Sequence, residues 1–187
     1  YGGVILTKYK NSVVPLSLRD TENAAVKETL AQKAAELIPD GAVIFLDASS
    51  TTQRILRYIH DRRNLKIITN SLRVFHEAEA LHAKLYCTGG TFNKSNHAFS
   101  GPAAERFLRA VSADIVFFSS QGLSLEGEIS DASEEETSLR RIMLARAEKK
   151  IFLCDSSKLG QKRLFTVCTK KDVDQILCDV PLPWDYI

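Results

Sequence analysis

The 187-residue sequence predicts an α/β domain, a parallel sheet covered by helices. Three observations carry that expectation. Between residues 43 and 87, short apolar runs alternate with helical patterns, the order that right-handed crossovers of a parallel sheet require. The run Asp-Ile-Val-Phe-Phe at residues 114–118 is apolar at consecutive positions, as a central strand buried on both faces must be. The run Val43-Ile-Phe-Leu-Asp47-Ala-Ser-Ser-Thr-Thr52 ends a buried strand at an acid and hands over to small hydroxyl residues that open a helix.

Taken in order, residues 15–20 (Pro-Leu-Ser-Leu-Arg-Asp) read as extended, and Thr21 or Asn23 caps the helix that follows. Ala24, Leu30, Ala31, Ala34, Ala35, Leu37 and Ile38 give that helix an apolar stripe, and Pro39-Asp40-Gly41 stops it. Strand Val43–Leu46 comes next, then a helix over about residues 50–60, a strand over 66–69, a helix over about 72–81 and a strand over 84–87. A polar, glycine-bearing loop over 88–96 breaks the rhythm. Residues 102–111 read as helix, 114–118 as strand and 119–132 as a long polar loop. Ser133-Glu-Glu-Glu136 fits a capping box, in which Ser133 caps the N3 amide and Glu136 reaches back to the cap's own amide. The helix it opens runs to about residue 149, turning Leu139, Ile142, Met143 and Ala147 to the sheet. A strand over 151–154, a turn over 155–160 and short strands near 164–168 and Gln175–Cys178 close a single domain spanning residues 1–187.

Composition narrows the function. The net charge of +2, from 25 basic and 23 acidic residues spread along the chain, provides no broad field for nucleic acid, so this segment is not expected to bind DNA itself. Cys87, Cys154, Cys168 and Cys178 lie far apart, mostly in apolar runs, and read as free buried thiols; they lack the close pairs of a zinc site, and no metal is expected. Neither a secretory leader nor an apolar span of about 18 to 20 residues is recognisable, which points to the cytoplasm and to no membrane partner. The first residue is Tyr1 rather than Met, so the chain reads as a fragment or a processed product.

In parallel sheets ligands sit beyond the carboxyl ends of the strands. Those ends are Asp47-Ala-Ser-Ser, Thr69-Asn-Ser71, Thr88-Gly-Gly90, Ser119-Ser-Gln-Gly122 and Asp155-Ser-Ser-Lys158, all polar and built from small residues. At the first of them, the unpaired amides and positive dipole end of a helix suit an anion. Ser49, Ser50, Thr51 and Thr52 add hydroxyl donors, and Asp47 is an acceptor for a ligand's hydroxyls, so a phosphorylated polyol suits both halves. The structural alternative is that Ser49 or Ser50 is an N-cap and Asp47 a strand-end residue.

The ordered set Tyr1-Gly-Gly3, Arg19 with Lys27, Gly41 through Thr52, Thr69-Asn-Ser71, Gly89-Gly90, Ser100-Gly101, Asp114 with Gly122, Glu136 with Arg140, and Asp155-Ser-Ser-Lys158 resembles the C-terminal effector-sensing domain of DeoR-family bacterial transcription repressors, over essentially the whole chain. The resemblance implies a Rossmann-like, mostly parallel sheet with helices on both faces, of the ribose-phosphate isomerase and CoA-transferase type. It implies a phosphorylated sugar or related metabolite as effector, no cofactor, and a sensor that commonly mediates homo-oligomerisation. Operator DNA is then contacted only through a winged helix-turn-helix upstream of this chain, linked near a Gly-Gly such as Gly2-Gly3.

Carried over by position, the turn Ala48-Ser49-Ser50-Thr51-Thr52 resembles the family's phosphate cradle, with Ala48 and serines where glycine and threonines are usual, which costs backbone freedom. Asn70 and Ser71 resemble a second wall, with the Gly89-Gly90 and Gly122 turns beside it. Lys158 resembles the cation that reaches the ligand; its structural alternative is a solvated turn lysine. Arg19 suits a phosphate fork or a pair with Asp20 or Glu22. Lesser candidates are Asp131 for sugar hydroxyls, Glu136 beyond its cap, and His97, which lies in the loop after Gly90. The competing functions are an aldose–ketose phosphate isomerase and an oligomerisation module with a vestigial pocket. The first needs an acid in the turn after the central strand and a lysine-bearing glycine loop; Ser119-Ser-Gln-Gly122 has no acid and residues 127–133 lack the glycine run and the lysine, so catalysis is not expected.

Overall fold

The computed structural model describes residues 13–185; Tyr1-Gly-Gly3 lies outside them. Its frame is a six-stranded sheet of β1 (Val43–Leu46), β2 (Leu65–Thr69), β3 (Ala83–Cys87), β6 (Ala113–Phe118), β9 (Ala147–Cys154) and β11 (Gln175–Cys178), in the order β11-β9-β6-β1-β2-β3. Every pairing within it is parallel. The chain enters at β1, winds outward through β2 and β3, then returns to β6 on the other flank. The point of reversal therefore lies between β1 and β6, where a crevice opens beyond the strand ends.

Alternate side chains of the central strands feed two cores. Ile44, Leu46, Ile67, Phe117 and Leu153 pack on one face under α2 (Ala24–Ala35), the 3₁₀ segment Thr52–Tyr58 and α3 (Leu72–Glu77). Phe45, Ile68, Val116, Phe118 and Phe152 pack on the other under α4 (Pro102–Arg109) and α5 (Glu134–Ala145), with Leu108, Leu139, Ile142 and Met143 supplying the contacts. The expectation of a mostly parallel α/β sheet with helices on both faces is met. Among the described residues, no helix is long and apolar enough to cross a membrane.

Several boundaries differ from the sequence reading. Residues 15–20 are not extended: Pro15 precedes α1 (Leu16–Thr21), at the helix entrance where its missing N–H costs nothing, and Leu16 is fully buried. Asn23 precedes α2 in left-handed geometry (φ 51°) without capping it. The helix over 50–60 is a 3₁₀ segment, and the one over 72–81 is a two-turn α-helix followed by a 3₁₀ turn. The loop over 88–96 contributes β4 (Thr91–Asn93), which pairs with β5 (Ala98–Ser100) as a hairpin.

The polar loop over 119–132 contains β7 (Gly122–Leu123) and β8 (Glu128–Asp131). They turn about Ser124, whose hydroxyl accepts from the amides of Glu126 (3.2 Å) and Glu128 (3.1 Å). With β10 (Phe165–Thr169) they form a separate antiparallel sheet, ordered β10-β8-β7. α5 ends at Ala145, not near 149, because residues 147–150 pair with β6; the ladder overrides the helix preference of Ala-Glu-Lys-Lys. Only half of the capping box forms. Ser133 accepts from the Glu136 amide at 3.2 Å, but the Glu136 carboxylate turns away to Arg140. The four cysteines are free thiols, of which only Cys154 is fully buried.

Candidate functional site

A cleft of about 130 Å³ opens beyond the ends of β1, β6 and β9, at the reversal of strand order. Ser49 and Ser50 line it from the turn after β1, Ser119, Ser120 and Gln121 from that after β6, and Asp155, Ser157 and Lys158 from that after β9. The opposite wall comes from the segment before α1 (Val14), from α1 (Arg19), from the turn after it (Glu22, Asn23) and from the first turn of α2 (Lys27). Asp131 and Arg163 from the small sheet side, with Arg140 behind, complete it. Five cationic side chains thus face three carboxylates, a lining that favours an anion.

Four of the five cations are held by hydrogen bonds or ion pairs. Lys158 Nζ donates to Ser119 Oγ at 2.8 Å and stands 3.2 Å from Asp155 Oδ2, while Ser119 Oγ donates to the Leu153 carbonyl at 2.7 Å. Burial works against the Asp155 carboxylate, but Lys158, the Ser157 hydroxyl and Lys27 together outweigh it and keep the group below the usual carboxylate range. Asn23 Nδ2 donates to Asp155 Oδ1 (3.0 Å) and Ser157 Oγ (3.1 Å), which is the use its side chain finds instead of capping α2. Lys27 is 3% exposed and donates to the Arg19 carbonyl; burial, and after it the charge of Lys158, lowers its pKa to about 8. Arg19 donates through Nε to the Val14 carbonyl at 2.9 Å and through Nη2 to Asn96 Oδ1 at 3.2 Å. Arg163 Nε is buried at the wall without a hydrogen-bond partner among the described residues.

Beneath the cleft, Arg140 gathers three carboxylates. Its Nε donates to Asp47 Oδ2 at 2.7 Å, Nη1 to Asp131 Oδ2 at 2.9 Å and Nη2 to Glu136 Oε2 at 2.9 Å. Burial opposes the charged guanidinium, but the three acids outweigh it and raise its pKa. Glu136 is the least satisfied member of the set: burial pushes its carboxyl up, against the pull of Arg140, and its Oε1 has no partner among the described residues. Asp47 is fully engaged, since Oδ1 also accepts from Thr52 Oγ1 (2.8 Å) and the Ser49 amide (3.2 Å), and Oδ2 from the Ser119 amide (3.2 Å). Its oxygens are spent on tying β1 to β6 and α5 and do not face a ligand.

The sequence candidates therefore divide. Ser49, Ser50, Lys158, Arg19 and Asp131 share the cleft. Ser49 also accepts from the Thr52 amide at 3.1 Å, a local bond ahead of the 3₁₀ segment, whose N-cap position is Thr51 and not Ser49 or Ser50. Asp47, Ala48, Asn70 and Glu136 line a closed crevice against α5 with no room for a water, and Thr51 and Thr52 are fully buried. Ser71 caps α3, accepting from the Val74 amide at 3.2 Å. Gly89 and Gly90 (φ 62° and 111°) lead into the β4–β5 hairpin, and Gly122 lies in β7, paired with Ser130. His97 sits at the hairpin end, edge-on to Phe92 at 6.3 Å and outside the cleft. Lys27 and Arg140 belong to the family-like pattern, and the pattern alone gives them no role. A signal for both was present: each charge falls on the buried face of its helix, Lys27 with Leu30 and Ala31, Arg140 with Leu139 and Met143.

Residues 22–180 match the model of the DeoR C-terminal sensor domain. The chain is 34% identical over 158 residues to an uncharacterised HTH-type transcriptional regulator of Haemophilus influenzae, covering 84% of this chain and 61% of that protein. It is 33% identical over 156 residues to the lactose phosphotransferase system repressor of Staphylococcus epidermidis, covering 82% and 61%. The chain thus spans about three fifths of the length of these relatives. Among solved structures, ribose 5-phosphate isomerase A of Methanocaldococcus jannaschii superposes with a TM-score of 0.56 at 20% identity, over 75% of this chain and 56% of that one, a likeness of fold. With a family model covering most of its length, the chain belongs to the DeoR family as a C-terminal sensor domain.

Proposed function

We propose that this domain binds a phosphorylated sugar, or a related small phosphorylated metabolite, in the cleft between Arg19 and Lys158, and that occupancy alters the DNA affinity of a regulator whose helix-turn-helix lies upstream. The observation that carries the reading is the lining itself: five cations against three acids, interleaved with serine hydroxyls, at the reversal of a parallel sheet. The name of the Staphylococcus relative, which ties a regulator to a sugar phosphotransferase system, supports the ligand class. Regulation requires that the ligand bind the DNA-competent and incompetent arrangements unequally, by roughly 1 to 3 kcal/mol in typical cases. The regulator works as a homo-oligomer, a reading supported by Leu72, Phe75 and Phe92, exposed apolar residues near the β3 edge.

The likeness to an isomerase raises a catalytic reading. We take the domain to bind without turnover: the turn after β6 carries no acid, Asp47 is bound by Arg140, and Glu136 lies beneath the floor. Thermal unfolding with a panel of sugar phosphates and their unphosphorylated sugars tests binding. A phosphate present at about a hundred times its Kd adds roughly 2.7 kcal/mol, a shift of roughly 5 to 10 °C for a domain of this size. Absence of any shift, or equal shifts from the free sugars, overturns the proposal; conversion of ribose 5-phosphate that disappears in Lys158→Ala restores the enzyme.

A further inference from the structure

We propose that Cys154 and Cys178 form a peroxide-sensitive thiol pair, a modification site separate from the ligand chemistry above. They are register partners at the carboxyl ends of the neighbouring parallel strands β9 and β11. Register partners point to the same face of a sheet, and both pack against the same apolar core. Neighbouring strands lie roughly 4.8 Å apart, inside the window of about 4.4 to 6.8 Å between Cα atoms that disulfides use. The two thiols differ in access: Cys154 is fully buried and Cys178 only partly so, on the strand that ends the sheet. That asymmetry suits an attacking sulfur within reach of solvent and a protected resolving one.

The local electrostatics agree. The neighbouring Cys154 thiol is the chief cause that lowers the Cys178 thiol to about 7, while Cys178 and burial push Cys154 up; the Cys154 thiol itself donates to the Asp155 carbonyl at 3.5 Å and that of Cys178 to Asp179 Oδ1 at 3.8 Å. Burial and Asp172 push Cys168 up to about 12, which leaves it a poor nucleophile. In the reaction, the Cys178 thiolate attacks one oxygen of hydrogen peroxide and the O–O bond breaks. The departing hydroxide takes a proton to become water, and Cys178 is left as a sulfenic acid. The Cys154 sulfur then attacks the Cys178 sulfur, the S–O bond breaks, and the Cys154 proton leaves with that oxygen as a second water. Two thiols are oxidised and one peroxide is reduced.

The bond would form beside an existing clip. The Ser156 amide and hydroxyl donate to the two carboxylate oxygens of Asp179 at 2.7 and 2.9 Å, so the turns that follow the two cysteines are already joined.

The test treats the purified domain with hydrogen peroxide, blocks remaining thiols with iodoacetamide and maps the peptides. Expected are a loss of about 2 Da in the intact mass, a linked peptide pair carrying Cys154 and Cys178, and recovery of both thiols with dithiothreitol. In Cys178→Ser the mass loss disappears, and in Cys154→Ala Cys178 is trapped as a sulfenic acid by dimedone. Should Cys154→Ala not fold, the wild-type map and Cys178→Ser decide. Four thiols still alkylated, a link through Cys87 or Cys168, a link between chains, or Cys178 overoxidised beside a free Cys154 each overturns the inference.

Discussion

The two flanks of the sheet's carboxyl edge are written in the same residue types and are put to opposite uses. Beyond β1, β6 and β9 the polar turns stay open and line a cleft. Beyond β2 and β3 the β4–β5 hairpin lies on the turns and consumes their polar groups. Phe99 N–H donates to the Asn70 carbonyl at 2.7 Å, Asn70 Nδ2 to the Phe99 carbonyl at 3.1 Å, and Leu72 N–H to the His97 carbonyl at 2.9 Å. A small polar residue at a strand end is a ligand group only where no other segment has packed on it. Composition alone cannot distinguish the two cases, because the covering segment comes from elsewhere in the chain.

Four perturbations test this contrast, the largest first. Arg140→Met removes the one cation among three buried carboxylates and undermines both flanks, since Asp47, Asp131 and Glu136 all lean on it. The expected loss is about 3 to 5 kcal/mol by urea unfolding, and a stability within about 1 kcal/mol of wild type would show that the cluster relaxes without it. Lys158→Met acts on the open flank alone. Phosphate-ligand affinity measured by calorimetry should fall by about ten- to a hundredfold, the worth of one charged hydrogen bond, with the fold retained.

Gly90→Ala acts on the covered flank alone. At φ 111° an added Cβ would stand 2.4 Å from the Ser100 carbonyl oxygen. Stability should drop by about 1 to 3 kcal/mol while ligand affinity in the surviving folded protein is unchanged; a matching loss of affinity would merge the two flanks. The smallest effect is a pH dependence. With its pKa lowered to about 8, the Lys27 ammonium is mostly neutral at pH 9 and charged at pH 7. Affinity for a phosphate dianion should therefore rise as pH falls through that interval, by up to about tenfold, and Lys27→Met should flatten the profile.

The sheet was legible because its evidence is local. Val43–Leu46 and the apolar run before Ser119 announce buried strands without reference to anything distant. Residues 147–150 were misread for the converse reason, their strand state being imposed by pairing with β6. In the site, Lys158, Arg19 and the Ser49-Ser50 turn stood out by type and place. The role of Asp47 did not, because its partner Arg140 lies ninety-three positions away and only folding brings them together. Asn70, Gly89 and Gly90 misled in the same way, through a hairpin whose landing point no local pattern encodes.

Val14 and Arg19 have a consequence of their own. The guanidinium grips the Val14 carbonyl, the Arg19 carbonyl takes Lys27, and all three residues edge the cleft. An anion seated there would touch the short segment ahead of α1 and the helix together, at the cleft's own frame instead of the far room. News of its arrival would need no relay through either core: the lintel itself would move.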